Sequence, residues 1–316
     1  MRNIGPHPDP PPGEGIVCLE NDVLRVTVLP QVGGMIESLV HKPSGRDLLY
    51  HHPRVVPRPA YYRAPVDDWW AGGVIEGLPT CFACNVEDQS LPDFGEAWSE
   101  PWTVVDKNPS SAILRYTTRI WPLRITRVMS LFNGESALRL TYSIENLGDT
   151  EKAFLWGVHP TVPVGDRSWI QVPAATEELA GEQGSPGPAE ASPFRRGPVE
   201  FADIAVQGQR FSYLSGFPPD MWYAVWDDGA PVGFGMRFKA DEFPCLGMWL
   251  LDGWRGLRAI TLEPWIGWPG SLAEAIAKGR ARVLPPRGRF DANLTMIAFA
   301  PVGAVRGFDE TGRPIR

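Results

Sequence analysis

The 316-residue chain has few cysteines and no nucleotide-binding motif. Four cysteines are too few for a disulfide framework in a chain of this length, and the C-x-x-C pair of Cys81 and Cys84 has neither a second pair nor a βαβ context. Gly33-Gly34 and Gly72-Gly73 lack the strand-to-helix setting of a P-loop or dinucleotide fingerprint. We therefore interpret the thiols as buried or partly buried side chains, and we expect no metal and no cofactor.

The chain also has no excess of basic charge and no long apolar run. Its formal net charge is -7, and Lys and Arg are scattered without a basic stripe, which argues against a nucleic-acid or anionic-membrane partner. No stretch of about 18 apolar residues indicates a membrane span. Residues 1–15 are rich in Pro and Gly and lack the apolar stretch of a signal peptide. We expect a cytoplasmic protein that binds a small, neutral or weakly charged molecule.

Most of the remaining sequence alternates like strands. A first hairpin is predicted within residues 24–40, and the clearest one turns at Asn133-Gly134 between two alternating apolar segments. Others turn at Asp227-Asp228-Gly229 and at Asp252-Gly253, the last of which leads into Glu263. Many antiparallel strands with few helices predict an all-β protein with one large antiparallel β-sandwich.

Helix signals are scarce. The best one covers residues 271–279, where Ser271 and Glu274 have the spacing of a capping box. Residues 173–200 contain Pro, Gly, Ala, Glu and Ser with few large apolar side chains, which is typical of a long surface loop or lid. We therefore predict a single sandwich domain over residues 16–303, with a flexible segment before it and a tail at residues 304–316.

Glu263 is the most informative residue for function. It lies near the end of a predicted strand, and alternation places it on one face with Thr261 and Ala259, opposite Ile260 and Leu262. A carboxylate that points into a cleft among aromatic residues is suited to act as a base in sugar chemistry.

The thirteen tryptophans suggest a carbohydrate site. Many lie beside turns and charges, as Trp69-Trp70 does after Asp67-Asp68 and as Trp265 and Trp268 do around Gly267. An indole packs against the C–H face of a sugar while its N–H can donate a hydrogen bond. Any single one of these tryptophans is as readily explained as a plug at the end of a wide sandwich.

Four segments in order resemble galactose mutarotase-like proteins, the aldose 1-epimerase superfamily. Residues 21–34, with Leu29-Pro30 and a Gly pair, resemble the opening strand. Arg63 precedes Gly72-Gly73 as an arginine precedes a Gly pair in that family. The sequence Trp-Gly-Val-His-Pro at residues 156–160 resembles the strand of the catalytic histidine, and Leu-Glu-Pro at residues 262–264 resembles the segment of the catalytic glutamate. The resemblance extends over most of the chain.

The resemblance implies a β-supersandwich whose concave face binds a free sugar and interconverts its anomers. It implies that Glu263 is the base and His159 the acid of this isomerase. Together with the tryptophan and carboxylate pattern, it gives a set of expected substrate-binding residues: Arg63, Trp70, Asp93, Glu96, Trp98, Trp156 and Trp265.

One segment departs from the family. Phe94 stands where many relatives carry a second sugar-binding histidine, and a phenyl ring cannot hydrogen-bond a sugar oxygen. Either Asp93 or Glu96 takes over this polar contact, or the chemistry of the site has changed. The family's pocket aspartate also has no unique match, and the candidates are Asp68, Asp227 and Asp241.

Two other function classes stay open. A glycoside hydrolase or lyase would pair Glu263 with a second carboxylate, Glu96 or Asp93. A non-catalytic carbohydrate-binding protein on the same scaffold would account for Phe94.

Overall fold

Two large antiparallel sheets pack against each other. The computed structural model describes residues 15–173, 176–179, 197–198, 208–301 and 305–315, and within them helices are short. The predicted fold class, a large antiparallel β-sandwich with little helix, is confirmed. Strands are numbered along the chain.

The first sheet carries ten strands. Their order is β1 (Val17–Glu20), β2 (Leu24–Leu29), β3 (Met35–His41), β5 (Val74–Gly77), β13 (Gly157–Pro163), β21 (Arg258–Trp265), β20 (Cys245–Asp252), β17 (Gln209–Ser215) and β15 (Thr176–Leu179), with β4 (Arg46–Asp47) beside β3.

The second sheet has nine strands. They run in the order β16 (Gly197–Pro198), β14 (Ser168–Gln171), β18 (Asp220–Asp227), β19 (Gly233–Lys239), β23 (Arg289–Phe299), β11 (Ala137–Asn146), β10 (Leu123–Leu131), β9 (Ser111–Thr117) and β8 (Thr103–Asn108). Three small two-stranded sheets pair β6 (Cys84–Val86) with β7 (Gln89–Leu91), β12 (Lys152–Phe154) with β22 (Arg282–Leu284), and β24 (Gly307–Phe308) with β25 (Pro314–Ile315).

All four predicted hairpins form. They are β2–β3, β10–β11, β18–β19 and β20–β21. Gly134, Gly229 and Gly253 have positive φ angles in three of the turns, a conformation that glycine adopts without a Cβ penalty. The turn chemistry therefore set the strand pairing as expected.

The predicted helix forms and a second one was not expected. Helix α2 (Leu272–Ala277) follows Ser271, whose hydroxyl accepts the backbone N–H of Glu274. Helix α1 (Val66–Trp69) is one turn long and has no apolar periodicity by which the sequence would reveal it. A single 3₁₀ turn also occurs at Trp254–Gly256.

The structure describes only part of the predicted loop and of the predicted tail. Of the predicted loop 173–200, the described residues include β15 and β16, two short strands that its composition did not suggest; its other residues, like residues 1–14, lie outside the described part of the chain. Within the predicted tail, residues 305–315 contain the β24–β25 hairpin, and Val305 and Phe308 are buried against Phe299 of the second sheet.

A buried ion pair joins the two sheets. Glu76 of β5 and Arg127 of β10 are fully buried, with Arg127 Nη1 2.6 Å from Glu76 Oε1. The Tyr142 hydroxyl donates to the same oxygen over 2.7 Å, and Arg127 Nη2 donates to the Gly34 carbonyl. Because Glu76 points into the interior, its neighbours Ile75 and Gly77 face the other side of the sheet.

Arg127→Met should lower the free energy of unfolding by about 3–5 kcal/mol, because Glu76 would be left as an uncompensated buried charge. Arg124 lies on the same strand and pairs with Glu145 at the surface, so Arg124→Met should cost less than about 1 kcal/mol. Urea unfolding followed by tryptophan fluorescence measures both. Equal losses in the two variants would show that the buried pair does not hold the sheets together.

Candidate functional site

The strands in the middle of the first sheet bring His159 and Glu263 together. β13 and β21 are antiparallel neighbours, with Gly157 paired to Trp265 and Thr161 paired to Thr261. This register places His159 of β13 directly across from Glu263 of β21. His159 Nε2 lies 3.3 Å from Glu263 Oε1, and both side chains are almost completely buried. The mid-chain imidazole and the late carboxylate therefore meet, as the sequence suggested.

The Glu263 carboxylate is held by neighbours on its own strand. Its Oε1 accepts the Thr261 hydroxyl over 2.6 Å, and its Oε2 accepts the Trp265 indole N–H over 2.9 Å. An ionised carboxylate only accepts hydrogen bonds. We therefore assign a proton to Nε2 of His159, the ring nitrogen that faces Glu263. The alternation that puts residues 261, 263 and 265 on one face thus also builds the support of the carboxylate.

Glycines on three strands make room for Trp265. A Cβ at Gly157 would lie 2.2 Å from the indole ring, one at Gly77 2.6 Å, and one at Gly247 3.3 Å from its nitrogen. These glycines belong to β13, β5 and β20, so the indole extends over several strands of the sheet. Glycine within a strand commonly marks such a close approach. The position of the Trp265 indole, which donates a hydrogen bond to Glu263, therefore depends on three glycines.

Aromatic rings enclose His159. Phe94 meets it edge-on at 5.3 Å between ring centroids and Trp70 at 6.2 Å, while Trp249 lies tilted at 6.2 Å. His159 Nδ1 and the Trp70 indole nitrogen are buried and have no hydrogen-bond partner among the described residues. Buried polar atoms are normally paired, so these two atoms are candidates for contact with a ligand.

Phe94 occupies the position where the family resemblance places a histidine. It has a φ angle of 57°, and the following Gly95 approaches the backbone so closely that a Cβ there would lie 2.0 Å from the Leu78 carbonyl oxygen. The tight turn thus presses the phenyl ring against His159 and also against Trp265, at 5.9 Å. Phe94 supplies an apolar wall and no hydrogen bond.

Two aspartates lie near this wall. Asp93 Oδ2 accepts the Val66 backbone N–H over 3.0 Å, at the start of α1. Burial raises the pKa of Asp93, whereas its backbone hydrogen bonds act in the opposite direction. Desolvation also raises the pKa of Asp67, and the negative charge of Asp93 adds to the increase; the positive charge of Arg255 and, to a smaller extent, His159 oppose it. The Asp67 carboxyl group is therefore close enough to Asp93 and to the His159 imidazole to interact with both electrostatically.

Two of the expected substrate-binding residues contact the pair directly. Trp70 lies edge-on to the His159 ring, and Trp265 donates a hydrogen bond to Glu263. Trp156 instead lies in the interior, 4.6 Å from the Tyr142 ring. Trp98 is buried and donates its indole N–H to the Asp93 carbonyl, so it supports the loop from behind. Arg63 is exposed and donates to the Ser90 hydroxyl.

The expectation that Glu96 contacts a ligand does not fit its surroundings. Its carboxylate is fully buried and accepts backbone N–H groups of Arg119, Ile120 and Trp121. Both oxygens are therefore used to hold this turn. Of the three pocket-aspartate candidates, Asp227 bonds the Ser168 hydroxyl and Asp241 is exposed, while Asp68 pairs with Arg255 near α1.

Sequence reasoning missed Trp249 and Asp67. The turn at Asp252-Gly253 gives the β20–β21 register, in which Trp249 pairs with Thr261 and Gly247 pairs with Glu263. Extending the predicted hairpin backwards would have placed Trp249 on the face of Glu263. Asp67 lies on α1, which carries no periodic signal.

The cysteines carry no separate site in the described chain. All four are free; Cys81 and Cys245 are buried and Cys84 is partly buried, as the sequence suggested, whereas Cys18 is exposed. Burial raises the pKa of the Cys81 thiol. Within the described residues, no group of three or more His, Cys, Asp and Glu side chains could hold a metal ion, and no helix is long and apolar enough to span a membrane.

Comparison with known proteins identifies the fold. Residues 13–84 match a family described as a domain of unknown function, DUF5107. The chain is similar to the Slr1438 protein of Synechocystis sp. PCC 6803, at 19% identity and a TM-score of 0.68 over 94% of this chain and 99% of that one. It is also similar to a galactose mutarotase related enzyme of Lactobacillus acidophilus, at 14% identity and a TM-score of 0.71 over 90% and 97%.

A third solved structure agrees with these. A galactose mutarotase-like protein of Lactobacillus casei ATCC 334 has a TM-score of 0.69 at 14% identity, and the match covers 90% of this chain and 100% of that chain. The protein has the galactose mutarotase-like fold. Such a fold carries more than one function, so the activity must be argued from the site. In this protein the candidate site is the pair His159 and Glu263.

Gly157→Ala should destabilise the protein by about 1–3 kcal/mol, because the new methyl group would overlap the Trp265 indole in a packed region. The indole would shift, so near-ultraviolet circular dichroism should change as well. Gly165→Ala is the matched control, since a Cβ there has no atom within 4 Å. Similar stability for both variants would contradict the close contact between Trp265 and β13.

Proposed function

We propose that the protein is a mutarotase-type isomerase, an aldose 1-epimerase, in which Glu263 is the general base and His159 the general acid. The proposal depends above all on one observation: His159 Nε2 lies 3.3 Å from Glu263 Oε1 on adjacent strands, in a site lined by aromatic rings. The expected ligand is a free sugar, in keeping with the aromatic lining and with the name of the Lactobacillus acidophilus relative.

A hemiacetal needs an acid and a base that lie near each other. The anomeric hydroxyl and the ring oxygen of a sugar are bonded to the same carbon, so an acid and a base that serve both must lie close together. Glu263 removes the proton of the anomeric hydroxyl while His159 Nε2 donates a proton to the ring oxygen, and the bond between C1 and the ring oxygen breaks. After the aldehyde rotates, closure returns each proton to its origin, so the enzyme ends unchanged.

Substrate must replace the direct contact between the two residues. In the free protein the Nε2 proton is directed at Glu263, so sugar oxygens entering between them would meet a donor and an acceptor already in position. Trp265 and Thr261 keep donating to the carboxylate and limit its rotation. Asp93 and the unpaired Trp70 nitrogen are proposed to bind the other hydroxyls.

A glycoside hydrolase or lyase is less well supported. That chemistry needs a second carboxyl group to act with Glu263. The Glu96 carboxylate accepts three backbone N–H groups, and the Asp93 carboxylate accepts the Val66 N–H. Glu263 instead faces the imidazole of His159. An imidazole beside one carboxylate favours proton exchange on a hemiacetal.

A non-catalytic sugar-binding protein is the second candidate. Phe94 favours it, because this ring removes a hydrogen-bonding group from the wall that faces His159. In that case the aromatic rings would bind a sugar without promoting ring opening. Both candidates would bind a sugar, but only the isomerase would accelerate the exchange of its anomers.

Glu263→Gln should reduce catalysed anomer exchange by about 10²–10⁴-fold, because the amide cannot accept the hydroxyl proton. His159→Gln should reduce it by a similar factor. Exchange is measured by saturation-transfer NMR on common aldoses and uronates. Glu151→Gln, an exposed carboxylate outside the site, is the matched control and should behave as the wild type.

The wild type decides between the two candidates. Acceleration of exchange in at least one sugar supports the isomerase. If the wild type binds sugars by calorimetry but accelerates no exchange, the protein is a binding module, and the proposed roles of Glu263 and His159 are wrong.

A further inference from the structure

Aromatic rings continue from the His159–Glu263 pair to the surface. Trp249 lies 6.2 Å from the His159 ring, and Trp254 lies 5.2 Å beyond Trp249. His159 and Trp70 are buried, Trp249 and Trp254 are partly exposed, and Arg255 is exposed. Exposure thus increases from the buried pair to the surface turn that carries Trp254 and Arg255.

The outer end of this row is held in place by the turn between β20 and β21. Gly253 and Arg255 have φ angles of 100° and 49°, so the chain reverses sharply around Trp254. Arg255 lies over the Trp254 ring at 4.6 Å and donates from Nη1 to the Asp67 carbonyl over 2.7 Å and to Asp68 Oδ1 over 3.2 Å. The turn is therefore fixed to α1 through Arg255, and we call the surface region of Trp249, Trp254 and Asp67 the mouth.

Asp67 contributes a polar group to this mouth. The residue is exposed, and no described residue donates a hydrogen bond to its carboxylate. Its backbone carbonyl accepts Arg255 Nη1 over 2.7 Å, so Asp67 lies next to the turn that carries Trp254. An accessible acceptor beside a partly exposed indole is the combination that recognises a sugar ring, because the indole covers C–H groups while the carboxylate accepts hydroxyls.

We propose that this mouth, formed by Trp249, Trp254 and Asp67, is a second saccharide subsite, so that the substrate is a reducing disaccharide or a longer sugar. Its reducing unit lies at His159 and Glu263, and the next unit stacks on Trp254. The inference rests on the proposed function for the placement of the reducing unit.

The test compares sugars that share one reducing unit. Binding of glucose, maltose, cellobiose and lactose is measured by titration calorimetry on the wild type and on Glu263→Gln, so that binding is read without turnover. At least one disaccharide should bind more tightly than glucose. Trp254→Ala should lower the ratio of disaccharide to glucose affinity by about tenfold, the loss expected for one stacked ring. Asp67→Asn should also lower this ratio.

Trp169→Ala is the matched control, because Trp169 is a partly exposed indole stacked on Trp226 in the second sheet. It should leave the ratio unchanged, and thermal unfolding verifies that each variant is folded. An equal ratio in wild type and Trp254→Ala, or no binding of any of the four sugars, overturns the subsite. If the protein catalyses anomer exchange but binds no disaccharide more tightly than glucose, only the subsite is wrong. If it prefers a disaccharide and Trp254→Ala removes that preference, but no exchange is catalysed, only the isomerase proposal is wrong.

Discussion

The site depends on the pairing register of β13 with β21. A shift of one residue would turn either His159 or Glu263 to the other face of the sheet, because side chains alternate along a strand. The register is reinforced by packing: Trp265 can extend over β13 only where Gly157 is opposite it, and its indole N–H then reaches Glu263. Close packing and hydrogen bonding thus select the same alignment.

The opposite face of the same strands explains why this alignment is held rigidly. Glu76 on β5 is one residue from Gly77, which lies under Trp265, and it forms the ion pair with Arg127 that joins the two sheets. A buried charge tolerates little displacement, because any separation leaves it without a partner in a medium of low polarity. The interior of the sandwich therefore restrains the strands that carry the site on their outer face.

Much of the fold could be predicted because its signals are local. Turn residues and alternation gave the β10–β11 and β20–β21 hairpins, and alternation alone gave the face of Glu263. The role of His159 came only from the family resemblance, because its partner is about a hundred positions away in sequence. The surroundings of Glu96 could not be predicted for the same reason: the amides of residues 119–121 that bind its carboxylate are not adjacent to it in the chain.

The replacement of a polar wall by Phe94 changes the demands on the remaining groups. A phenyl edge against His159 cannot orient a sugar oxygen, so orientation must come from donors that hold Glu263 and from groups farther out along the aromatic row. Binding energy from a distant part of a substrate can serve to position the reacting carbon, since groups that do not react still fix the geometry of those that do. A second subsite would compensate for the polar contact that is missing at Phe94, and the partly exposed indole of Trp254 lies where the proposal places that subsite.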